Sequence, residues 1–104
     1  MTEDDEILRA KLNAETGKLA WKELERHFAR GVLIKVVGDL DLVDVALAFS
    51  RDDKAAVESW LAAGRIARAS AEDAQAWHDQ QSLFWAVVAA PWVLVQEVAA
   101  RQDD

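Results

Sequence analysis

An α+β fold is the prediction for this 104-residue chain, and three observations carry it. Apolar residues recur at helical spacing near the N-terminus and again across residues 42–61. A β-branched run, Val32 to Val37, lies between Gly31 and Gly38, as a short strand should. The stretch from Phe84 to Val98 is apolar at nearly every position and is divided by Pro91, the pattern of two strands.

Taken in order, Thr2 with Asp5 three residues on makes a capping-box start, and the neighbouring acids suit a helix N-terminus. Ala20, Trp21, Leu24 and Phe28 form an apolar stripe that Gly17 extends, and Gly31 ends it. Residues 2–30 therefore read as one long helix with a frayed start, in preference to a break near Asn13. The strand Val32–Val37 follows. Leu42, Val45, Ala46 and Phe49 then share one helical face, with Asp41 as cap. Alternation of Val43, Val45, Leu47 and Phe49 would also suit a strand, but the cap and the alanines favour helix. Asp53 caps a second helix that carries Val57, Trp60 and Leu61 inward and stops at Gly64, with Trp60 expected to be buried between the two central helices. Ile66 to Ala69 is a short extended piece. Ser70 with Asp73 opens a further helix that turns Ala74 and Trp77 inward. Phe84 to Val98 closes the fold as an apolar hairpin, and Ala99 to Asp104 is a polar tail.

Composition bounds the rest. A chain of this length makes a single domain, residues 1–104, able to bury about 65% of its unfolded surface. Hydrophobic residues reach 52%, with one Pro and four Gly, which argues for a packed core. A net charge of −7 repels phosphate backbones and anionic membranes. No cysteine is present, so disulfides and thiolate metal sites are excluded. The acidic opening Thr2-Glu3-Asp4-Asp5-Glu6 carries no export signal, and the run Phe84 to Val95 is too short to span a membrane. A cytoplasmic protein is expected.

No catalytic constellation emerges. Glu23 and His27 are spaced as two metal ligands on one helical face, but His78 is the only other histidine, and a solvated ion pair accounts for them. Asp39, Asp41 and Asp44 lack the glycine and closing glutamate of a calcium loop, so capping explains them. Asp52 and Asp53 diverge on a helix and have no nucleophile beside them. Ser50, Ser59, Ser70 and Ser82 sit in no nucleophile elbow. No catalytic residue, cofactor or metal is assigned. Of five tryptophans, Trp21, Trp60 and Trp77 read as core, whereas Trp85 and Trp92 flank the proline and could meet a partner.

Two resemblances follow from these residues. Val45-Ala46, Val57, Trp60, Leu61 and Gly64-Arg65-Ile66 resemble the helix-turn-helix of the MerR and excisionase class, which makes the middle of the chain degenerate winged-helix-like. The second helix departs from that pattern. It carries Asp52, Asp53 and Glu58 where a DNA reader places basic or amide side chains, which leaves Lys54, Arg65 and Arg68 as the nucleic-acid contacts this alternative implies. The whole chain is also similar to a small bacterial family known only as a domain of unknown function, the one numbered 2288. The residues that carry this are Asn13, Glu15-Thr16, Trp21, Leu24, Phe28, Gly31, Leu40-Asp41-Leu42-Val43, Asp52-Asp53, Trp60 and Pro91-Trp92-Val93-Leu94-Val95-Gln96. That resemblance implies kinship and no activity.

The function expected is a non-enzymatic protein-interaction or regulatory domain, with a winged-helix-like nucleic-acid-binding regulator as the alternative. A homodimer is expected through Phe84, Trp85, Trp92, Val93 and Val95, because a strand apolar on both faces needs cover on both and the N-terminal stripe supplies only one. A protein partner is expected, and neither a membrane nor, on charge, nucleic acid.

Overall fold

The computed structural model describes residues 3–98, so the Thr2 cap and the Ala99–Asp104 tail lie outside the described residues. The elements run α1 Glu3–Glu15, β1 Gly17–Ala20, α2 Trp21–Ala29, β2 Leu33–Val36, α3 Leu42–Ser50, α4 Lys54–Ala62, β3 Ile66–Arg68, α5 Ala71–Gln80, β4 Leu83–Ala89 and β5 Trp92–Glu97. The five strands form one sheet in the order β1-β4-β5-β2-β3. Three of its pairings are antiparallel, and the central β2–β5 pairing is parallel. The α+β class and the expected order of elements hold.

Alternation along the strands divides the core in two. Val87 and Ala89 of β4, Leu94 of β5, Ile34 and Val36 of β2 and Ile66 of β3 face α1, α3 and part of α4. Phe84 and Ala86, Val93 and Val95, and Leu33 face α2 and α5, where Trp21, Leu24 and Trp77 close the second core. The sheet is therefore covered on both sides by helices of its own chain, the usual condition for a strand that is apolar at consecutive positions. Ring contacts knit the second core: Trp77 meets Phe84 at 4.9 Å and Trp21 at 5.6 Å.

The local signals placed the helix ends well. Asp41 accepts from Val43 N–H at 2.9 Å and Asp53 from Ala56 N–H at 3.2 Å. Ser70 and Asp73 form the expected reciprocal box, at 3.0 and 2.9 Å. Gly31 and Gly64 take the left-handed φ of 76° and 74° that lets the chain leave a helix without a Cβ clash. The segment from Leu42 is helix, and Pro91 sits in the β4–β5 turn.

The N-terminal span differs from the expectation. It divides into α1 and α2, with Gly17–Ala20 between them as an edge strand paired to Ala86–Leu83. Gly17 is a poor helix former, and Leu19 gains cover on the second core by extending. The central pair differs too. Trp60 and Val57 are only partly buried against the first core, and Leu61 points to solvent with 48% of its surface exposed. The buried member is α3, with Leu42, Val43, Val45, Ala46, Leu47 and Ala48 all inside.

Candidate recognition groove

The turn Arg51–Asp53 carries the chain from α3 into α4, which lies outermost at the β3 end of the sheet. Asp52 holds a left-handed φ of 58°, a conformation that short polar side chains tolerate. Between α4 and the strands runs a groove of about 380 Å³. Phe49, Val57, Leu61 and Trp92 supply its apolar surface, and Asp52, Asp53, Lys54, Glu58 and Arg68 its charged rim. One wall is a stack. The Phe49 ring meets Trp92 edge-on at 6.4 Å, and the Arg68 guanidinium lies 5.1 Å from the Trp92 centroid. Each stack contributes about 0.5–1 kcal/mol at an exposed site, and together they fix Trp92 as a rigid wall.

Beside the groove lies the β3 edge of the sheet. In the β2–β3 pairing, Val37 N–H donates to the Arg65 carbonyl and Ala69 N–H to the Leu33 carbonyl. Residues 65, 67 and 69 thus point their backbone groups at β2. The N–H and C=O of Ile66 and Arg68 consequently point away from β2, but Ile66 is covered at 2% exposure and only Arg68 reaches solvent. The opposite edge, β1, is built otherwise. Trp21 N–H donates to the Ser82 carbonyl, which turns Lys18 and Ala20 outward. Glu23 reaches back to take the Ala20 N–H at 3.1 Å. Only Lys18 keeps a free outward face, and its ammonium lies 5.1 Å from the Trp85 centroid.

The residues expected at a partner surface separate sharply. Phe84 and Val95 are fully buried and Val93 nearly so, all within the second core. They are removed from the proposed interface because α2 and α5 cover that face. Trp92 is half-buried in the groove wall, and Trp85 is 40% exposed. The alternative nucleic-acid set also divides. Arg65 pairs with Asp39 at 3.1 Å, Arg68 lies on Trp92, and Lys54 shares the groove rim with three carboxylates.

The other candidate clusters have structural work. Asp39 pairs with Arg65, Asp41 caps α3, and Asp44 pairs with Arg9. Glu23 caps α2 instead of meeting His27. Burial, then Arg26 and Arg30, pushes the His27 imidazole below its ordinary value. Ser82 Oγ, buried, hydrogen-bonds Glu97 at 3.2 Å. Among the described residues no group of three His, Cys, Asp or Glu side chains could hold a metal ion. Among them also, no helix is long and apolar enough to cross a membrane. Sequence reasoning had Asp53, Trp92 and Arg68 separately but not their convergence, which depends on β3 and β5 flanking β2.

Comparison with known proteins places the chain. Residues 7–97 match the family model described as protein of unknown function (DUF2288), and the chain belongs to that family. It is similar to the NMR solution structure of PA1075 from Pseudomonas aeruginosa, with 43% identity and a TM-score of 0.80 over 96% of this chain and 93% of that one. No curated protein matches.

Proposed function

We propose that this chain is a non-enzymatic protein-interaction domain of the cytoplasm, and that its recognition site is the groove between α4 and the β3 edge. One observation carries the reading. An apolar groove with an aromatic wall and a charged rim lies between α4 and the sheet. A preformed concave apolar surface with a few polar groups is the usual form of a binding site. Asp39, Asp41, Asp44, Asp53, Glu23 and Ser70 are engaged in caps and ion pairs, which supports a binding role over catalysis. Nucleic acid is the weaker reading, because Lys54, Arg65 and Arg68 each lie among carboxylates or on a ring and the chain carries −7 overall.

A photo-crosslinking side chain at Leu61, in the groove, and another at Lys18, on the far edge, test this in the native host. A discrete protein adduct from position 61 and none from 18 is expected. Adducts from 18 alone, or nucleic acid captured at 61, would overturn it.

Self-association belongs to the proposal through a different surface from the one first expected. Leu83 and Trp85 remain 50% and 40% exposed on one face of β4 and are the apolar side chains a second copy would cover. Sedimentation at micromolar concentration checks it: a dimer that Trp85→Lys dissociates is expected, and a wild-type monomer rules it out.

A further inference from the structure

We propose that the occupant of the groove is a basic amphipathic helix of a partner protein, which lies along α4 and sets an apolar stripe between α4 and Trp92. This rests on the reading of the groove as the recognition site and names the chemistry of what it takes. Leu61 is 48% exposed and Val57 and Trp92 are half-buried, so an apolar seat already faces solvent along the groove. Val57 and Leu61 stand one turn apart on α4, at the i, i+4 spacing that puts two side chains on one face. A partner helix repeats its own side chains at that interval, so successive turns of it can pack against both. An extended segment needs a backbone ladder, and β3 offers none, because Ile66 is 2% exposed and only Arg68 of the outward-pointing pair reaches solvent. A helix satisfies its own backbone and asks only for side-chain contact.

Charge selects the basic class. Asp52, Asp53 and Glu58 outnumber Lys54 and Arg68 around the groove, and the Arg68 guanidinium is already placed over Trp92. Arg51, in the same turn as Asp52 and Asp53, is held by Asp5 at 3.2 Å. Lysines or arginines flanking the apolar stripe of the partner would thus face a rim on which carboxylates predominate. The overall charge of −7 attracts such a helix at long range and repels an acidic one.

The test titrates the full chain, ¹⁵N-labelled, with the probe peptide acetyl-Lys-Leu-Ala-Lys-Lys-Leu-Ala-Lys-Lys-Leu-Ala-Lys-amide, whose leucines recur at every fourth position. A peptide this short is marginally helical alone, so its far-ultraviolet circular dichroism should gain helix on binding. The indole resonance of Trp92 should shift and that of Trp85 should not. Leu61→Ala should fold as wild type, since about half of that residue is exposed, and should bind about tenfold more weakly. The double variant Asp52→Asn, Glu58→Gln should weaken binding about tenfold through the two lost charges, with Asn tolerated at the left-handed position. Equal binding of the Glu-for-Lys peptide, equal binding of the peptide with proline for its central alanine, a shift confined to Trp85, or no perturbation at millimolar peptide would each overturn the inference. If position 61 still crosslinks a protein in the host while this peptide fails, the groove stands as the recognition site and only its basic, helical occupant is refuted.

Discussion

The two edges of the sheet present the same problem and solve it in different ways. At β1 the backbone is occupied locally: Glu23 takes the Ala20 N–H, and Lys18 stands on the one residue left facing out. A charged side chain on a short edge strand is a standard obstacle to pairing. At β3 Ile66 is covered by packing and Arg68 reaches solvent, beside the groove that lies between α4 and the strands. The packing beneath differs in the same sense. Phe84, fully buried, underlies Leu19 of β1 together with Trp77, whereas α4 beside β3 has no buried residue at all. The difference teaches that one sheet can close both edges while the helix beside one of them, α4, stays loosely packed.

The largest expected effect tests the packing half of this contrast. Phe84→Ala should cost about 3–5 kcal/mol, as for other buried aromatic truncations, read as a fall in the urea midpoint. Trp60→Ala, half-exposed on α4, should cost about 1–2 kcal/mol because only part of its area leaves water. Equal losses would mean that the two ends are packed alike. Next comes the cap of α4. Asp53→Ala should cost about 1 kcal/mol and loosen the groove rim, seen as faster amide exchange at Ala56 with β1 amides unchanged.

A smaller effect depends on pH. Asp73, on the face opposite the groove, would be raised by burial. The Lys35 ammonium at 2.8 Å and the Ser70 N–H and hydroxyl overcome this and hold its carboxyl below the ordinary range. A lowered folded value stabilises above the unfolded pKa and is lost as pH falls through the folded one. Asp73→Asn should therefore flatten the loss of stability below about pH 4, by less than about 1 kcal/mol for a pair this exposed. A variant as acid-sensitive as wild type would refute that. The smallest stability change goes with the most direct test of the guarded edge. Glu23→Ala with Lys18→Val should alter stability by only about 0.5 kcal/mol yet produce new concentration-dependent association in sedimentation. The same behaviour as wild type would show that β1 was never guarded by these residues.

What the sequence disclosed follows from the range of each interaction. Asp41, Asp53, Ser70, Gly31 and Gly64 act within a turn of their own position, and each is where a reader of the chain would put it. The strand β1 was hidden because Gly-Lys-Leu-Ala is neutral between helix and strand. Its state is decided by Ala86–Leu83, far along the chain. Periodicity assigned Trp60 and Leu61 to a face but could not tell whether anything would lie over that face. The face-counting that called for a partner on the hairpin was sound in physics. It failed to anticipate that α1, α3 and α4 supply the second cover. The groove was the least legible part, since it joins a turn, a helix, a strand end and a hairpin end.

The position of β5 has a consequence for how the molecule is made. The strand synthesised after the other four sits in the middle of the sheet, between β4 and β2. Its parallel partner β2 lies far upstream, with two helices, β3, a third helix and β4 between them. Until Trp92 to Glu97 has left the ribosome, β2–β3 and β1–β4 are two separate ribbons with no shared backbone ladder. Such a nascent chain holds the β2 and β4 edges that β5 will fill unpaired until that strand emerges, which is the interval when aggregation competes with folding. Loss of those six residues by an early stop would split the sheet at its centre, whereas loss of an equal length from α1 would leave every strand pairing in place.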